Sequence, residues 1–203
     1  MTAQVELWRG EFGNDYISRN EFTPEYMSAL TAMWAKMLAG ISPASILEVG
    51  ANIGLNLRAI KSFSSAELSA VEPNAKARQR IQADGVIDRA HDGTADHLPF
   101  QDGAFDLSFT SGVLIHVHPD DLAASCREIA RVSKRYVLCA EYFSVQAREI
   151  KYRGHDAALF TRDFGKFYLE SCPDLRLVDY GFFWTGAGCV DDLTWWLFEK
   201  PAA

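Results

Sequence analysis

The stretch Ile46-Leu47-Glu48-Val49-Gly50-Ala51-Asn52-Ile53-Gly54 has the pattern of a buried strand, a glycine-bearing turn and the start of a helix. Gly50 and Gly54 carry no Cβ, so the backbone can turn tightly there and approach a ligand closely. Such a turn at the carboxyl end of a first strand is typical of nucleotide-type sites in open α/β sheets. The spacing is GxxxG and lacks the GxGxxG of dinucleotide-binding turns, which counts against a nicotinamide-dependent oxidoreductase.

An acidic residue follows at the distance that a ribose-binding site requires. The segment Val71-Glu72-Pro73 places Glu72 at the tip of a second predicted strand, about 20 residues beyond Gly50. A carboxylate there can accept hydrogen bonds from both hydroxyls of a ribose. The glycines alone could serve only helix packing, but their combination with Glu72 predicts a site for a nucleoside-containing cofactor.

The chain around this turn alternates short apolar runs with helical patterns. We predict strands at 45–49, 67–71, 105–110 and 135–140, and helices at 55–62, 76–83 and 120–132. Short apolar strands separated by amphipathic helices indicate βαβ units and a mostly parallel sheet with helices on both faces. The predicted fold class is therefore α/β, with a Rossmann-like, doubly wound sheet.

Two further zones complete a single predicted domain of 203 residues. Residues 1–43 predict an N-terminal helical cap of two helices, with Thr23-Pro24-Glu25 as a helix start. Residues 44–142 are the Rossmann-like core. Residues 143–203 predict a substrate loop, a helix and two terminal strands, at 175–183 and 193–199, that add an antiparallel hairpin to the sheet edge.

The composition limits the classes of partner. Hydrophobic residues make up 48% of the chain and charged residues 23%, as in ordinary folded domains. The net charge of −7 argues against a nucleic-acid partner. No run reaches the roughly 18 apolar residues of a membrane span, and the first residues lack a basic-then-apolar signal, so we expect a cytoplasmic protein without a membrane partner. The four cysteines form no CxxC pair, so we expect no metal; the oligomeric state stays open.

The residues singled out so far resemble the class I S-adenosylmethionine-dependent methyltransferases, and S-adenosylmethionine is the cofactor that this resemblance implies. The residues that match the family's glycine-rich loop and ribose-binding acid are Glu48, Gly50, Ala51, Asn52, Gly54 and Glu72. Residues 98–106, LPFQDGAFD, are similar to the family's LPF(x)DxxFD signature. Thr94 and Ala95 stand where the family has an acidic-Ala pair beside the adenine. Because Thr94 is not acidic, Asp92 and Asp96 are alternative adenine contacts.

A finer resemblance covers nearly the whole chain. Its matching segments are 12–20, 111–117, 140–142, 152–155, 162–166, 178–182 and 191–195. These segments look like the methylases associated with pseudaminic acid biosynthesis. That resemblance implies a small-metabolite acceptor, a sialic-type sugar acid or its precursor, methylated at an oxygen or a nitrogen.

Methyl transfer needs an acceptor held in line with the sulfonium and a group that removes a proton. In this topology the sulfonium lies at the carboxyl ends of the first, fourth and fifth strands. The catalytic candidates there are His116, Glu141 and Tyr142, and Ser111 is a candidate contact of the cofactor. His116 could instead cap the following helix, and Glu141 could be an ordinary strand end. Tyr16 and Asn20 are candidates for an N-terminal lid over the cofactor, unless Tyr16 serves only helix packing.

The stretch after the fifth strand supplies the candidates for acceptor binding. They are Tyr152, Arg153, His155, Arg162 and Asp163. A planar guanidinium beside aromatic rings suits a substrate carboxylate, although Arg153 could equally form a surface ion pair.

Two other functions remain open. The acceptor could be a cationic amino acid or a guanidine such as arginine, held by an acidic pocket of Glu141, Asp163, Asp191 and Asp192. The chain could also be a noncatalytic S-adenosylmethionine-binding partner protein. The polar residues after the fifth strand favour an enzyme over this second alternative.

Overall fold

The computed structural model describes residues 2–19, 22–87 and 89–201. Its centre is a seven-stranded sheet in the order β3-β2-β1-β4-β5-β9-β8. The strands are β1 (Ser45–Val49), β2 (Glu67–Val71), β3 (Ala90–His91), β4 (Phe105–Ser111), β5 (Ser133–Glu141), β8 (Arg176–Phe183) and β9 (Leu193–Glu199). The first five of these pair in parallel, and β9 pairs antiparallel with both β5 and β8. The predicted doubly wound sheet with its antiparallel edge hairpin is confirmed.

Helices cover both faces of the sheet. They are α1 (Ala3–Arg9), α2 (Glu11–Arg19), α3 (Pro24–Leu38), α4 (Leu55–Lys61), α5 (Ala75–Ala83), α6 (Pro119–Val132) and α7 (Phe164–Ser171). Successive residues of β1 point to opposite faces, as the strand period of two requires. Ile46 packs in the core with α3 and α4, and Leu47 packs in the core with α6 and α7. A strand buried on both faces explains why this segment is almost continuously apolar.

The N-terminal cap has three described helices, where the sequence predicted two. Gly10 separates α1 from α2 because its backbone is extended, with φ −86° and ψ −155°. The predicted start at Thr23 is correct: the Thr23 side chain accepts a hydrogen bond from the Tyr26 N–H, and Pro24 occupies the first turn of α3.

The predicted loop after β5 is instead largely a β-hairpin of β6 (Arg148–Tyr152) and β7 (His155–Thr161). Tyr152 pairs with His155, so Arg153 and Gly154 form a two-residue turn. Both turn residues have positive φ, 49° and 89°. Tight hairpin turns require positive φ because it matches the twist of the flanking strands. The hairpin is therefore a correction to the sequence prediction, and it lies next to the carboxyl end of β5.

None of the described helices is both long and apolar enough to cross a membrane. Within the described ranges, no group of His, Cys, Asp and Glu side chains is arranged to hold a metal ion.

Candidate active site

The turn between β1 and α4 brings the backbone to the carboxyl edge of the sheet. Gly50 has φ 79°, and a Cβ on it would lie 2.6 Å from a methyl group of Val113. Asn52 also has positive φ, 46°, and its N–H donates to Glu72 Oε2 at 2.8 Å. Gly54 has φ 77° at the N-cap of α4. Only a residue without a Cβ fits at Gly50, as the sequence predicted from tight turning.

Glu72 lies immediately after β2 and is buried. Its Oε1 accepts the Asn74 N–H and its Oε2 accepts the Asn52 N–H, both at 2.8 Å. Burial raises the pKa of the Glu72 carboxyl, and these two hydrogen bonds oppose that rise. Each oxygen keeps a further lone pair for a ligand hydroxyl.

Glu48, inside β1, is almost completely buried. Its Oε1 accepts a hydrogen bond from Asn56 Nδ2 at 2.7 Å, and Asn56 Oδ1 accepts one from Trp34 Nε1 at 2.9 Å. Its Oε2 has no hydrogen-bond partner among the described residues. Burial raises the pKa of Glu48 to about 8. Such an orphaned, desolvated oxygen is suited to a cationic or hydrogen-bond-donating ligand group.

A cavity of about 300 Å³ lies at the carboxyl ends of β1, β2, β4 and β5. The predicted cofactor residues that line it are Tyr16, Glu48, Gly50, Ala51, Asn52, Glu72, Thr94, Ala95 and Ser111. Gly54 shapes the loop from behind without lining the cavity, and Asn20 lies outside the described residues. Of the two alternative adenine contacts, Asp96 lines the cavity, whereas Asp92 forms ion pairs with Arg9 and Arg78.

Helices α1 and α2 form a roof over this cavity. Asn74 Nδ2 donates to the Trp8 carbonyl at 3.0 Å and to Asn14 Oδ1 at 3.1 Å, which ties the roof to the start of α5. Gln4 Nε2 donates to the Ala157 carbonyl of β7 at 3.2 Å. The roof thus contacts both the sheet edge and the hairpin. Sequence reasoning placed Tyr16 in a lid but missed Trp8 and Asn74, although an Asn just before a predicted helix is a typical N-cap signal.

His116 ends a short 3-10 helix after β4 and lines the cavity. Its Nδ1 lies 2.6 Å from the Ala158 carbonyl, which can only accept, so Nδ1 carries the proton and Nε2 carries the lone pair. Its ring packs against Trp8 and Tyr152, with centroid distances of 4.8 and 5.1 Å. Burial lowers the pKa of His116 to about 4, so the ring is neutral near pH 7. His118 also lines the cavity, and its ring caps α6 by accepting the Asp120 N–H.

Glu141 is completely buried at the end of β5 and does not line the cavity. Its carboxylate accepts hydrogen bonds from the N–H groups of Val113, Leu114 and Ile115, at 3.2, 3.1 and 3.4 Å. Burial raises the pKa of Glu141 to about 7. The structure therefore places Glu141 behind the loop that carries Val113, and not in the cleft where the sequence prediction put it.

Tyr142, the next residue, does line the cavity. Its hydroxyl donates to Asp191 Oδ2 at 2.6 Å. Burial and the neighbouring Asp191 charge raise the pKa of Tyr142, so the phenol stays protonated. Asp191 also lines the cavity, as does Tyr26 from α3.

The structure separates the residues predicted to bind the acceptor. Tyr152 lines the cavity, but Arg153, His155, Arg162 and Asp163 do not. Arg153 is exposed, with its guanidinium carbon 5.5 Å from the Tyr152 ring centroid. His155 packs on Phe12, Arg162 lies over Phe167, and Asp163 caps α7. Of the predicted acidic pocket, only Asp191 lines this cavity; Asp163 and Asp192 line a separate, shallower one.

The lining of the cavity is acidic. Its carboxyl side chains belong to Glu48, Glu72, Asp96, Asp121 and Asp191. No lysine or arginine in the described part of the chain lines it. An electrostatic environment of this kind favours a cationic or neutral ligand over an anionic one.

Comparisons with known proteins agree with this geometry. Residues 47–139 match the model of a family described as methyltransferase domain. A search of curated protein sequences found no significant match.

Solved structures share the fold across nearly the whole chain. One is a chain from the complex between the Haloferax volcanii Trm112 methyltransferase activator and a methyltransferase, with a TM-score of 0.73, 16% identity, and coverage of 95% of this chain and 97% of that chain. A second is the Burkholderia thailandensis 1,6-didemethyltoxoflavin-N1-methyltransferase with bound 1,6-didemethyltoxoflavin and S-adenosylhomocysteine. Its TM-score is 0.72 and its identity 19%, and the match covers 98% of this chain and 91% of that chain. A third is the Synechocystis PCC 6803 magnesium protoporphyrin IX methyltransferase with bound S-adenosylhomocysteine. Its TM-score is 0.69 and its identity 11%, and the match covers 97% of each chain.

The fold and the matched domain together define the class of the protein. It has a methyltransferase domain at residues 47–139 on a Rossmann-like sheet, and it shares this fold with methyltransferases solved with bound S-adenosylhomocysteine. Two of the structures that share the fold contain S-adenosylhomocysteine, the product that S-adenosylmethionine leaves after methyl transfer. The resemblance to class I methyltransferases is confirmed at this level, and the finer resemblance to pseudaminic-acid-associated methylases stays a prediction.

Proposed function

We propose that this enzyme methylates a nitrogen or oxygen of a small acceptor that carries no negative charge near the reacting atom. The observation that carries the proposal is the lining of the cavity, which includes the carboxylates of Asp121 and Asp191 beyond the acidic residues assigned to the cofactor, and no described lysine or arginine. Burying an anion against carboxylates without a cation costs several kcal/mol in a desolvated site. A neutral or cationic acceptor avoids that cost.

The residues at the sheet edge fit the parts of S-adenosylmethionine. Glu72 has lone pairs for the ribose hydroxyls, and Thr94, Ala95 and Asp96 line the cavity and would contact the adenine. The orphaned Oε2 of Glu48 suits the ammonium of the methionine portion, because that contact would remove a desolvated, unpartnered oxygen. The cofactor supplies an electrophilic methyl group on a sulfonium.

His116 is the side chain best placed to take a proton. Its Nδ1 is committed to the Ala158 carbonyl, so Nε2 is the basic atom. With a pKa of about 4 it is a weak base, which suits an acceptor that attacks through a neutral nitrogen lone pair and loses its proton only after the methyl group is attached. A ring nitrogen or a neutral amine meets that requirement better than an unactivated alcohol, which needs a stronger base to become nucleophilic.

The sialic-type sugar acid of the finer resemblance requires a carboxylate-binding cation. Arg153 and Arg162 were the sequence candidates for that role, and neither side chain lines the cavity. This arrangement favours the rival acceptor class, the amines, guanidines and nitrogen heterocycles. Asp191 is the member of the predicted acidic pocket that remains for it.

Calorimetric titration with S-adenosylhomocysteine, NAD and NADP tests the cofactor. We expect S-adenosylhomocysteine alone to bind, and Glu72→Ala to weaken it by roughly 5–150-fold, the effect of leaving ribose hydroxyls unpaired. Glu67→Gln is the matched control, because Glu67 is exposed at the opposite end of β2. Equal affinity in the Glu72 and Glu67 variants would remove Glu72 from the site.

A screen of S-adenosylhomocysteine release tests the acceptor. Three sets are compared at equal concentration: simple amines with free arginine, neutral nitrogen heterocycles, and sialic-type sugar acids. We expect turnover in one of the first two sets. Turnover on sugar acids alone would overturn the charge argument and restore the acceptor that the finer resemblance implies.

A further inference from the structure

We propose that Asp191, held in place by Tyr142 and faced by Tyr26, is the acceptor-binding carboxylate and that it receives an N–H of the acceptor. This inference rests on the proposed function and names the residue that would select its substrate class. The ligand chemistry is a protonated amine, an amidine or guanidine, or a ring N–H. The argument begins with the position of Asp191 in the chain.

Asp191 lies in the segment that leads into β9, and two hydrogen bonds fix its carboxylate. Oδ2 accepts the Tyr142 hydroxyl at 2.6 Å, and Oδ1 accepts the Asp192 N–H at 2.8 Å. Tyr142 directly follows β5, which is one of the strands whose carboxyl ends form the site. The carboxylate is therefore positioned beside the strand end at which an acceptor must meet the sulfonium.

Helix α3 holds the same segment from the other side. The Val190 N–H donates to Met33 Sδ at 3.4 Å. The negative charge of Asp191 also contributes to a raised pKa of Tyr26, after the larger effect of burial, so the two side chains are close. A carboxylate supported from α3, β5 and its own loop is oriented before a ligand arrives, which lowers the entropy cost of binding.

Asp191 has no cationic partner among the described ion pairs, whereas several other aspartates have one. Asp84 pairs with Arg58 and Arg80, Asp92 pairs with two arginines, and Asp102 pairs with Arg131. The ion pairs of the described residues do not include Asp191, and its identified donors are a hydroxyl and a backbone N–H. Each carboxylate oxygen has capacity for a further donor. A half-buried carboxylate without a cation is the group that a cationic or N–H-bearing ligand would complete.

The walls around this carboxylate are apolar. Leu30, Leu55, Val190 and Leu193 line the same cavity. Apolar walls with one or two fixed polar groups are typical of small-ligand pockets, in which the polar groups set orientation and specificity. An acceptor with a compact apolar or aromatic body and a nitrogen donor fits this combination.

The test compares three variants. Asp191→Asn keeps an oxygen for the Tyr142 hydroxyl but removes the charge, and Tyr142→Phe removes the hydroxyl but keeps the charge. Asp192→Asn is the matched control, because Asp192 is the adjacent exposed residue and lies outside this cavity. Ligand-observed NMR on the complex with S-adenosylhomocysteine measures binding of histamine, agmatine and propionate as probes.

We expect histamine or agmatine, and not propionate, to bind the wild-type complex. Asp191→Asn should weaken that binding by tenfold or more, Tyr142→Phe by a smaller factor, and Asp192→Asn by less than twofold. With an acceptor found by the release screen, Asp191→Asn should raise KM much more than it lowers kcat.

Equal binding in the Asp191 and Asp192 variants, or binding of propionate in preference to the cations, would overturn the inference. Calorimetry with S-adenosylhomocysteine separates this outcome from failure of the proposed function. If the wild-type chain binds S-adenosylhomocysteine and Asp191→Asn changes nothing, only the inference fails. If the wild-type chain does not bind S-adenosylhomocysteine, the proposed function itself fails.

Discussion

The cofactor end and the acceptor end of the cavity are assembled from different distances along the chain. At the cofactor end, the hydrogen bond from the Asn52 N–H to Glu72 joins residues 20 positions apart, on one βαβ unit. At the acceptor end, the hydrogen bond from Tyr142 to Asp191 joins residues 49 positions apart, and Tyr26 arrives from a helix that precedes the sheet. The first end is made of glycines, backbone N–H groups and carboxylates on or after strands, whereas the second is made of side chains from α3, the end of β5 and the segment before β9. This division allows the acceptor end to be altered while the cofactor end stays the same.

The largest expected effect breaks the cofactor end. Gly50→Val should weaken S-adenosylhomocysteine binding roughly 100-fold or more, because the new Cβ would lie 2.6 Å from a Val113 methyl group at a residue with φ 79°. Calorimetry measures the affinity, and circular dichroism checks that the variant folds. Gly85→Val is the control, since Gly85 also has positive φ, 64°, but no atom lies within 4 Å of its Cβ position. A Gly50 variant that binds within threefold of wild type would contradict the prediction.

The next largest effect concerns the contact between the two ends. Glu141→Ala should lower the free energy of unfolding by about 2–4 kcal/mol, because three buried backbone N–H groups lose their acceptor. Urea denaturation measures it, and cofactor affinity should fall as well because the Val113 loop loosens against Gly50. Unchanged stability with a large loss of turnover would instead support the direct catalytic role that the sequence predicted for Glu141.

The same division decides what could be predicted from the sequence. The strand bounds of β1 and β2 are those predicted, and the glycine turn and Glu72 meet in the structure, because strand period, turn chemistry and their spacing are local properties. The pairings of Trp34 with Asn56 and of Tyr142 with Asp191 depend on tertiary packing. A single sequence has no periodic signal for such contacts.

The hairpin of β6 and β7 was missed for a related reason. Its first strand is fully or partly exposed at every position, so it lacks the alternation of buried and exposed residues that marks a half-buried strand. Its turn is Arg153-Gly154, and an Arg at positive φ is uncommon, so the usual Asn-Gly or Asp-Gly signal was absent. The glycine was the one available indication of a turn. Of the acceptor residues predicted on that loop, Tyr152 lines the cavity, whereas Arg153 and His155 on the hairpin do not.

A smaller effect is expected on the pH dependence of the unfolding free energy, through Glu48 at the cofactor end. Glu48 has a pKa raised by burial to about 8, above its usual value of 4.5, so the folded state favours the protonated form. The corresponding stability is present below about pH 4.5 and is lost as the pH rises through about 8. Glu48→Gln removes this loss and keeps an acceptor for Asn56.

The unfolding free energy of Glu48→Gln minus that of wild type should therefore increase by about 1–3 kcal/mol when the pH rises from 5 to 8. Denaturant melts at the two pH values measure the gain, with the exposed Glu67→Gln as control. Added S-adenosylmethionine should shrink the gain, since its ammonium would compensate the wild-type carboxylate. If the difference in unfolding free energy between Glu48→Gln and wild type is the same at both pH values, the prediction of a buried charge at Glu48 is wrong.

The smallest effect is expected at the tip of the hairpin. Arg153 is exposed and has φ 49°, a conformation that Asn tolerates better than Ala does, so Arg153→Asn is the informative change. Its guanidinium contacts the Tyr152 ring and lies outside the cavity, so KM for any acceptor should change by less than about twofold, as for a typical exposed charge. Tyr152→Ala, which alters a residue that does line the cavity, should change KM more than Arg153→Asn does. Steady-state assays with one amine and one sugar acid decide the matter, because a tenfold rise in KM for the sugar acid alone would mean that Arg153 reaches the acceptor carboxylate during turnover.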